Sequence, residues 1–135
     1  MTPHSLLDDL KCRLQPILEN APVEFSLLFG SSSRGEPFRD LDIAVRFQPE
    51  HGNLKEILDL GLRLERAAGV PVDLVSLTQA TLAFQYEVSK GELLTAHNRE
   101  SFYDWRETTW SEYFQIEHLL RSHALEYARI YGGTA

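Results

Sequence analysis

From Ser5 to Glu19 the apolar residues Leu6, Leu10, Leu14, Ile17 and Leu18 recur at helical spacing, which predicts a helix with Ser5 as its N-cap. The pattern then tightens. Val23 to Phe29 and Leu41 to Phe47 are short runs of β-formers, one bounded by Pro22 and Gly30, the other closed by Gln48 and Pro49, so each predicts a strand. Helical spacing returns from Asn53 to Ala68 through Leu54, Ile57, Leu58, Leu62 and Leu64, with Gly69 where a C-cap glycine belongs. Val70 to Leu77 predicts a third strand, with Pro71 near its start where a missing N–H is tolerated. Thr78 is the expected N-cap of a helix running to Val88 and ended by Gly91, and Glu92 to Ala96 is a short last strand. From Asn98 to Tyr131 a helical pattern continues, as one long helix or as two with a bend.

The resulting order, αβ, β, αβ, αβ and then helix, predicts one α/β or α+β domain with a helical C-terminal extension. The 135 residues suit a single domain, with 1–97 as its core and 98–135 as the extension. Eight aromatic residues lie between Phe102 and Tyr131, more than one helix face can bury, which leaves room for a partner.

Charge and cysteine usage narrow the setting. A formal net charge of -7 argues against a surface that follows nucleic-acid phosphates, so no direct nucleic-acid binding is expected. Cys12, the single cysteine, forms no internal disulfide and is expected to be a buried, small apolar residue. The start MTPHSLLDDLK lacks the pattern of a signal peptide, and charges interrupt every apolar run well short of the roughly eighteen residues a membrane span needs. A reducing cytoplasm is the expected location, with no membrane partner. His4, His51, His97, His118 and His123 show no metal-ligand spacing.

The chemistry concentrates in LLFGSSSRGEPFRDLDIAV, Leu27 to Val45. Asp40 and Asp42 stand two residues apart at the start of a predicted strand, so their side chains share a face with Cα atoms roughly 6.6 Å apart. Two carboxylates on one face repel, and a divalent cation removes that cost; hard oxygen ligands with room left for water and phosphate suit Mg²⁺. Upstream, Gly30 permits close backbone approach, while the hydroxyls and N–H groups of Ser31, Ser32 and Ser33 can cradle phosphate oxygens. Arg34 can neutralise triphosphate charge, Gly35 again allows close passage of the chain, and Glu36 reads as solvated loop charge. Asp73, in the middle of an apolar predicted strand, is costly there unless paired, metal-bound or solvated. It can add a third carboxylate as a metal ligand or as the base for an attacking hydroxyl.

Together, FGS ending a strand, RG beyond it, DLD opening the next strand and VDLV after a helix resemble the minimal nucleotidyltransferases of the DNA polymerase β-like superfamily. The later VDLVSLTQATLAFQYEVSKGELL and YDWRETTWSEYFQIEHLL resemble the antitoxin branch, so the likeness spans nearly the whole chain. That resemblance implies a small mixed β-sheet flanked by helices. It implies Asp40, Asp42 and Asp73 as catalytic metal carboxylates, Gly30, Ser31, Ser32 and Arg34 as the nucleotide-binding set, and Mg²⁺ with ATP as cofactor and substrate. It further implies an antitoxin that transfers AMP to a tyrosine of a HEPN-type RNase toxin. Two alternatives stand beside this one: a catalytically silent module of the same fold that occludes its toxin, and a nucleotidyltransferase acting on a small molecule. The segment between Ser31 and Asp40 is shorter than the family usually has, and Arg39 stands where a serine often precedes the aspartate pair.

Overall fold

The computed structural model describes residues 3–34 and 39–131, and the expectations for Gly35 and Glu36 lie outside them. The elements are α1 (Pro3–Glu19), β1 (Val23–Phe29), β2 (Leu41–Phe47), α2 (Leu54–Ala68), β3 (Val72–Ser76), α3 (Leu82–Ser89), β4 (Glu92–Ala96) and α4 (Arg99–Ile130). The strands form a mixed sheet in the order β3-β2-β1-β4. Strand β1 runs antiparallel to β2 and β4, and β2 runs parallel to β3.

The two central strands carry runs of buried residues because both sheet faces are covered. On one face Leu41, Ile43, Val45 and Phe47 of β2 meet Leu7, Leu10, Leu14 and Leu18 of α1 and Leu60 and Leu64 of α2. On the other, Phe25 and Leu27 of β1 and Ala44 of β2 pack with Val88 of α3 and Phe102 and Trp105 of α4. Phe25 sits at the centre of that second core, 5.4 Å from the Phe102 ring and 5.3 Å from the Trp105 ring. Aromatic pairs of this geometry contribute beyond their buried area.

Side-chain caps fix the helix starts. Asn53 accepts from the Glu56 N–H at 2.8 Å while the Glu56 carboxylate accepts from Asn53 N, a capping box, and Gly69 ends α2 with φ 72°. Asn98 caps α4 by accepting from Ser101 N–H at 3.1 Å.

Several expectations are corrected. Helix α1 begins at Pro3, so Ser5 lies inside it; proline suits a first helical position, where no N–H partner is needed. The cap of α3 is Thr81, whose Oγ1 accepts from Phe84 N at 3.2 Å, while Thr78 falls in a 3₁₀ turn, Leu77–Gln79, pinned by buried Leu77. Strand β3 is shorter at both ends than Val70 to Leu77. Cys12 is exposed, because it lies across the helix from the buried stripe Leu7, Leu10, Leu14 and Leu18. The C-terminal pattern is one unbroken helix of 32 residues. On α2, Leu64 is buried and Ile57 partly so, but Leu54, Leu58 and Leu62 face solvent. Among the described residues no helix is long and apolar enough to cross a membrane.

Gly91 joins α3 to β4 at a point with no space for a side chain: a Cβ there would stand 2.3 Å from the Leu28 carbonyl oxygen. Gly91→Ala is expected to lower the unfolding free energy by about 1–3 kcal/mol, through forced displacement of β1, as measured by urea denaturation.

Candidate active site

The register of the sheet assembles the site. Leu41, Ile43, Val45 and Phe47 belong to the α1/α2 core, so the alternate positions Asp42, Ala44 and Arg46 face the side of α3 and α4. In the parallel pair, Asp42 lies opposite Asp73, and in the antiparallel pair opposite Phe29, the last residue of β1. Asp73 alternates with Val72 and Leu74, which pack on the α1/α2 core, so it shares the Asp42 face. Asp40 precedes β2 by one residue and is exposed, as is Asp73, whereas Asp42 is half-buried.

Beside Asp42 the chain turns at Gly30, with φ 77°. An added Cβ at Gly30 would stand 2.3 Å from Oδ2 of Asp42, so the carboxylate lies directly against the glycine backbone. Neither the φ value nor that approach suits a residue with a side chain. A 3₁₀ turn, Ser31–Arg34, follows. Ser33 Oγ donates to the Gly30 carbonyl at 2.9 Å, and Ser32 Oγ reaches toward the Phe29 carbonyl at 3.5 Å. Ser32 is buried, so its hydroxyl serves the turn; Ser31 is half-buried and Arg34 exposed.

Burial pushes the Asp42 carboxyl above the usual carboxylate range, and the negative charges of Asp40 and then Asp73 push it further in the same direction. The three carboxylates therefore share one electrostatic site. They do not close into a cage: among the described residues no group of three or more His, Cys, Asp or Glu side chains is gathered tightly enough to hold a metal by itself. Such an open, oxygen-only donor set fits Mg²⁺, which keeps several waters and takes one or two carboxylates together with substrate phosphates.

On the same sheet face, toward the other end of β2, two adjoining clefts of about 350 and 200 Å³ share Arg46, Gln85 and Trp105 as lining. Arg46 is four residues along β2 from Asp42, roughly 13 Å. Arg46 stands at even spacing from Asp40 and Asp42, which puts it on their face of β2, and its Nε lies 3.4 Å from Glu24 Oε2. Trp105 donates from Nε1 to Gln85 Oε1 at 2.8 Å, which ties α4 to α3 across the cleft.

A sequence model of the family described as Polymerase beta, Nucleotidyltransferase matches residues 13–100. No curated protein matches the chain. Among solved structures, it is similar to a chain of a toxin–antitoxin complex with AMP-PNP, with TM-score 0.70, 24% identity, and coverage of 86% of this chain and 96% of that one. It is also similar to a chain in the complex of a tri-AMPylated Shewanella oneidensis HEPN toxin with its MNT antitoxin, at TM-score 0.68 and 21% identity, covering 89% and 97%. A minimal nucleotidyltransferase structure aligns with TM-score 0.54 and 29% identity, covering 69% and 94%. The glycine turn against Asp42, the paired register of Asp42 and Asp73, and a family match spanning α1 to the start of α4 agree: this chain belongs to the polymerase β-type nucleotidyltransferase family.

Proposed function

We propose that this chain is the antitoxin of a toxin–antitoxin module, and that it transfers AMP from ATP to a tyrosine hydroxyl of a HEPN-type RNase toxin in the cytoplasm. The observation that carries the proposal is the parallel register that sets Asp42 opposite Asp73, with the Asp42 carboxylate against the Gly30 turn. In this reading Asp40 and Asp42 would hold Mg²⁺, which would supply charge neutralisation for the triphosphate. The Gly30–Ser31 backbone and Arg34 orient the β and γ phosphates. Asp73, exposed on the edge strand, accepts the proton of the acceptor hydroxyl as its oxygen bonds to the α-phosphorus; the bond to the β-phosphate oxygen breaks, and pyrophosphate leaves. A toxin–antitoxin structure holding AMP-PNP and another holding an AMPylated toxin, both built on this fold, support that choice of donor and acceptor.

A second reading, inhibition by occlusion alone, is favoured by the distal half of α4, where Phe114, Leu120 and Tyr127 are exposed. Trp110 and Tyr113, two of the eight aromatics of the C-terminal segment, are partly engaged by α3: Trp110 Nε1 donates to Ser89 Oγ at 2.7 Å, and Tyr113 stacks on Tyr86 at 3.9 Å. Phe114 also meets Tyr86, edge-on at 5.6 Å, so Leu120 and Leu125 are the cleaner probes of a partner surface.

Intact-mass spectrometry of toxin co-expressed with this chain is expected to show mass added in units of AMP, and none with Asp42→Asn. Asp73→Asn is expected to slow transfer by about 10²- to 10⁴-fold, the usual worth of a general base, while calorimetry still detects ATP binding. Unmodified toxin that is nevertheless inhibited, with inhibition surviving Asp42→Asn and lost in Leu120→Asp, would establish occlusion instead.

The raised Asp42 carboxyl gives a stability signature. Because the folded state holds that proton more tightly than the unfolded chain does, the group favours folding below the ordinary aspartate range and loses that contribution as pH rises through its folded value. Asp42→Asn is thus expected to raise the melting temperature at pH 7, with a gain that shrinks as pH falls toward about 4. Added Mg²⁺ is expected to narrow the pH 7 difference by stabilising only the unaltered chain, as read by thermal denaturation with and without chelator.

A further inference from the structure

The clefts beside Arg46 are rich in hydrogen-bond acceptors and negative charge. Asp104, Thr108 and Glu112 stand one helical turn apart on α4, all exposed, along the wall of the larger cleft. Glu100 and Glu107, on the solvent side of Asp104, are exposed and acidic as well. The basic groups nearby do not offset them. Arg46 pairs with Glu24 at 3.4 Å, while Arg99 and Arg106 project from the far side of the helix, where Arg106 lies over the rings of Phe102, Tyr103 and Trp110.

Thr109 points to a ligand independently of that charge. It is 3% exposed, it lines the larger cleft, and its hydroxyl forms no hydrogen bond with the described residues. Gln85, across the cleft, is committed elsewhere: its Oε1 accepts from Trp105 Nε1 at 2.8 Å and its Nε2 donates to the Ala80 carbonyl at 3.0 Å. A buried polar group left unpaired is costly, and a donor arriving on a ligand removes that cost. The cleft therefore suits a cation that carries several N–H donors. A guanidinium has five donors and no acceptor, in a planar fork that reaches more than one acceptor at once.

Position says whose guanidinium it is. Asp42, Ala44 and Arg46 run along one face of β2 from the carboxylates to the cleft, with Asp73 and Val75 of β3 alongside and Leu77 lining the smaller cleft. The roughly 13 Å from Asp42 to Arg46 is the reach of about four residues of extended chain. An acidic wall repels the phosphates of a nucleotide, which leaves the acceptor protein as the occupant.

We propose that this cleft is a docking site for an arginine side chain of the acceptor protein, about four residues in sequence from the modified tyrosine, with Asp104, Glu112 and Thr109 as its hydrogen-bond acceptors. The inference rests on the transfer reaction proposed above and adds to it the residues that select the acceptor.

The probes are synthetic peptides that carry a tyrosine and, at that spacing, either arginine or its neutral analogue citrulline. NMR titration of the nucleotide-free chain is expected to show the arginine peptide binding about tenfold more tightly, the worth of one charge-assisted hydrogen bond. The double variant Asp104→Asn, Glu112→Gln, whose altered side chains are exposed, is expected to stay folded by circular dichroism and to lose that preference. Thr109→Val, which keeps the side-chain shape, is expected to weaken the arginine peptide several-fold. Equal affinity for the two peptides, binding of neither, or a preference that survives the double variant overturns the proposal. Loss of ATP affinity in the double variant, read by calorimetry, also overturns it by assigning the cleft to the nucleotide. The titration needs no nucleotide, so a chain that shows the arginine preference yet transfers no AMP overturns the transfer reaction and leaves the docking site standing.

Discussion

Repulsion among carboxylates governs this structure. The parallel register of β2 and β3 sets Asp42 opposite Asp73, and Asp40 precedes the same strand. Burial of Asp42 against Gly30 removes part of the water that would otherwise screen those charges, and its carboxyl responds with a raised proton affinity. A chain selected for stability alone gains nothing from this arrangement. It becomes favourable when positive charge enters, and a divalent cation brings that charge while taking oxygen ligands from one side and leaving positions open on the other.

The rest of the fold holds that arrangement rigid. Strands β1 and β2 lie between two apolar layers, so the strand end that presents Gly30 and the strand start that presents Asp42 are anchored from both faces. Close packing on both sides leaves little freedom for either strand to shift relative to the other. The Phe29 ring packs edge-on against Phe84 at 5.6 Å, which brings α3 to the border of the site. From there Gln85 and Trp105 continue the wall toward Arg46, so the carboxylates and the cleft occupy one side of one sheet.

Two surfaces remain apolar without being used by the fold. The distal half of α4 exposes Leu119, Leu120, Leu125 and Tyr127, and α2 exposes its leucine strip. Isolated exposed apolar residues are ordinary, but runs of them at helical spacing mark contact surfaces. The two differ in kind: the distal half of α4 is exposed on nearly every side, whereas the α2 strip borders a groove and lies beside charges of both signs.

Much of this protein is legible in its sequence, because local chemistry decides it. The β1 and β2 boundaries, the Gly69 cap of α2 and the β4 segment follow from β-former runs and from a residue whose backbone freedom suits a helix end. The pairing of Asp40 with Asp42 beside a glycine turn is local as well, since spacing of two on a strand sets a common face. Tertiary structure decided the rest. No spacing in the chain states that β3 lies parallel to β2 with Asp73 beside Asp42, because strand register is set by the two cores that cover the sheet. Nor does periodicity say which half of an apolar helix is buried: Leu54, Leu58 and Leu62 share the helical spacing of core residues, yet α1 and the sheet cover only the flank that carries Leu60 and Leu64. The cap of α3 moved from Thr78 to Thr81 for a similar reason, since burial of Leu77 commits the intervening residues to a turn before the helix can begin.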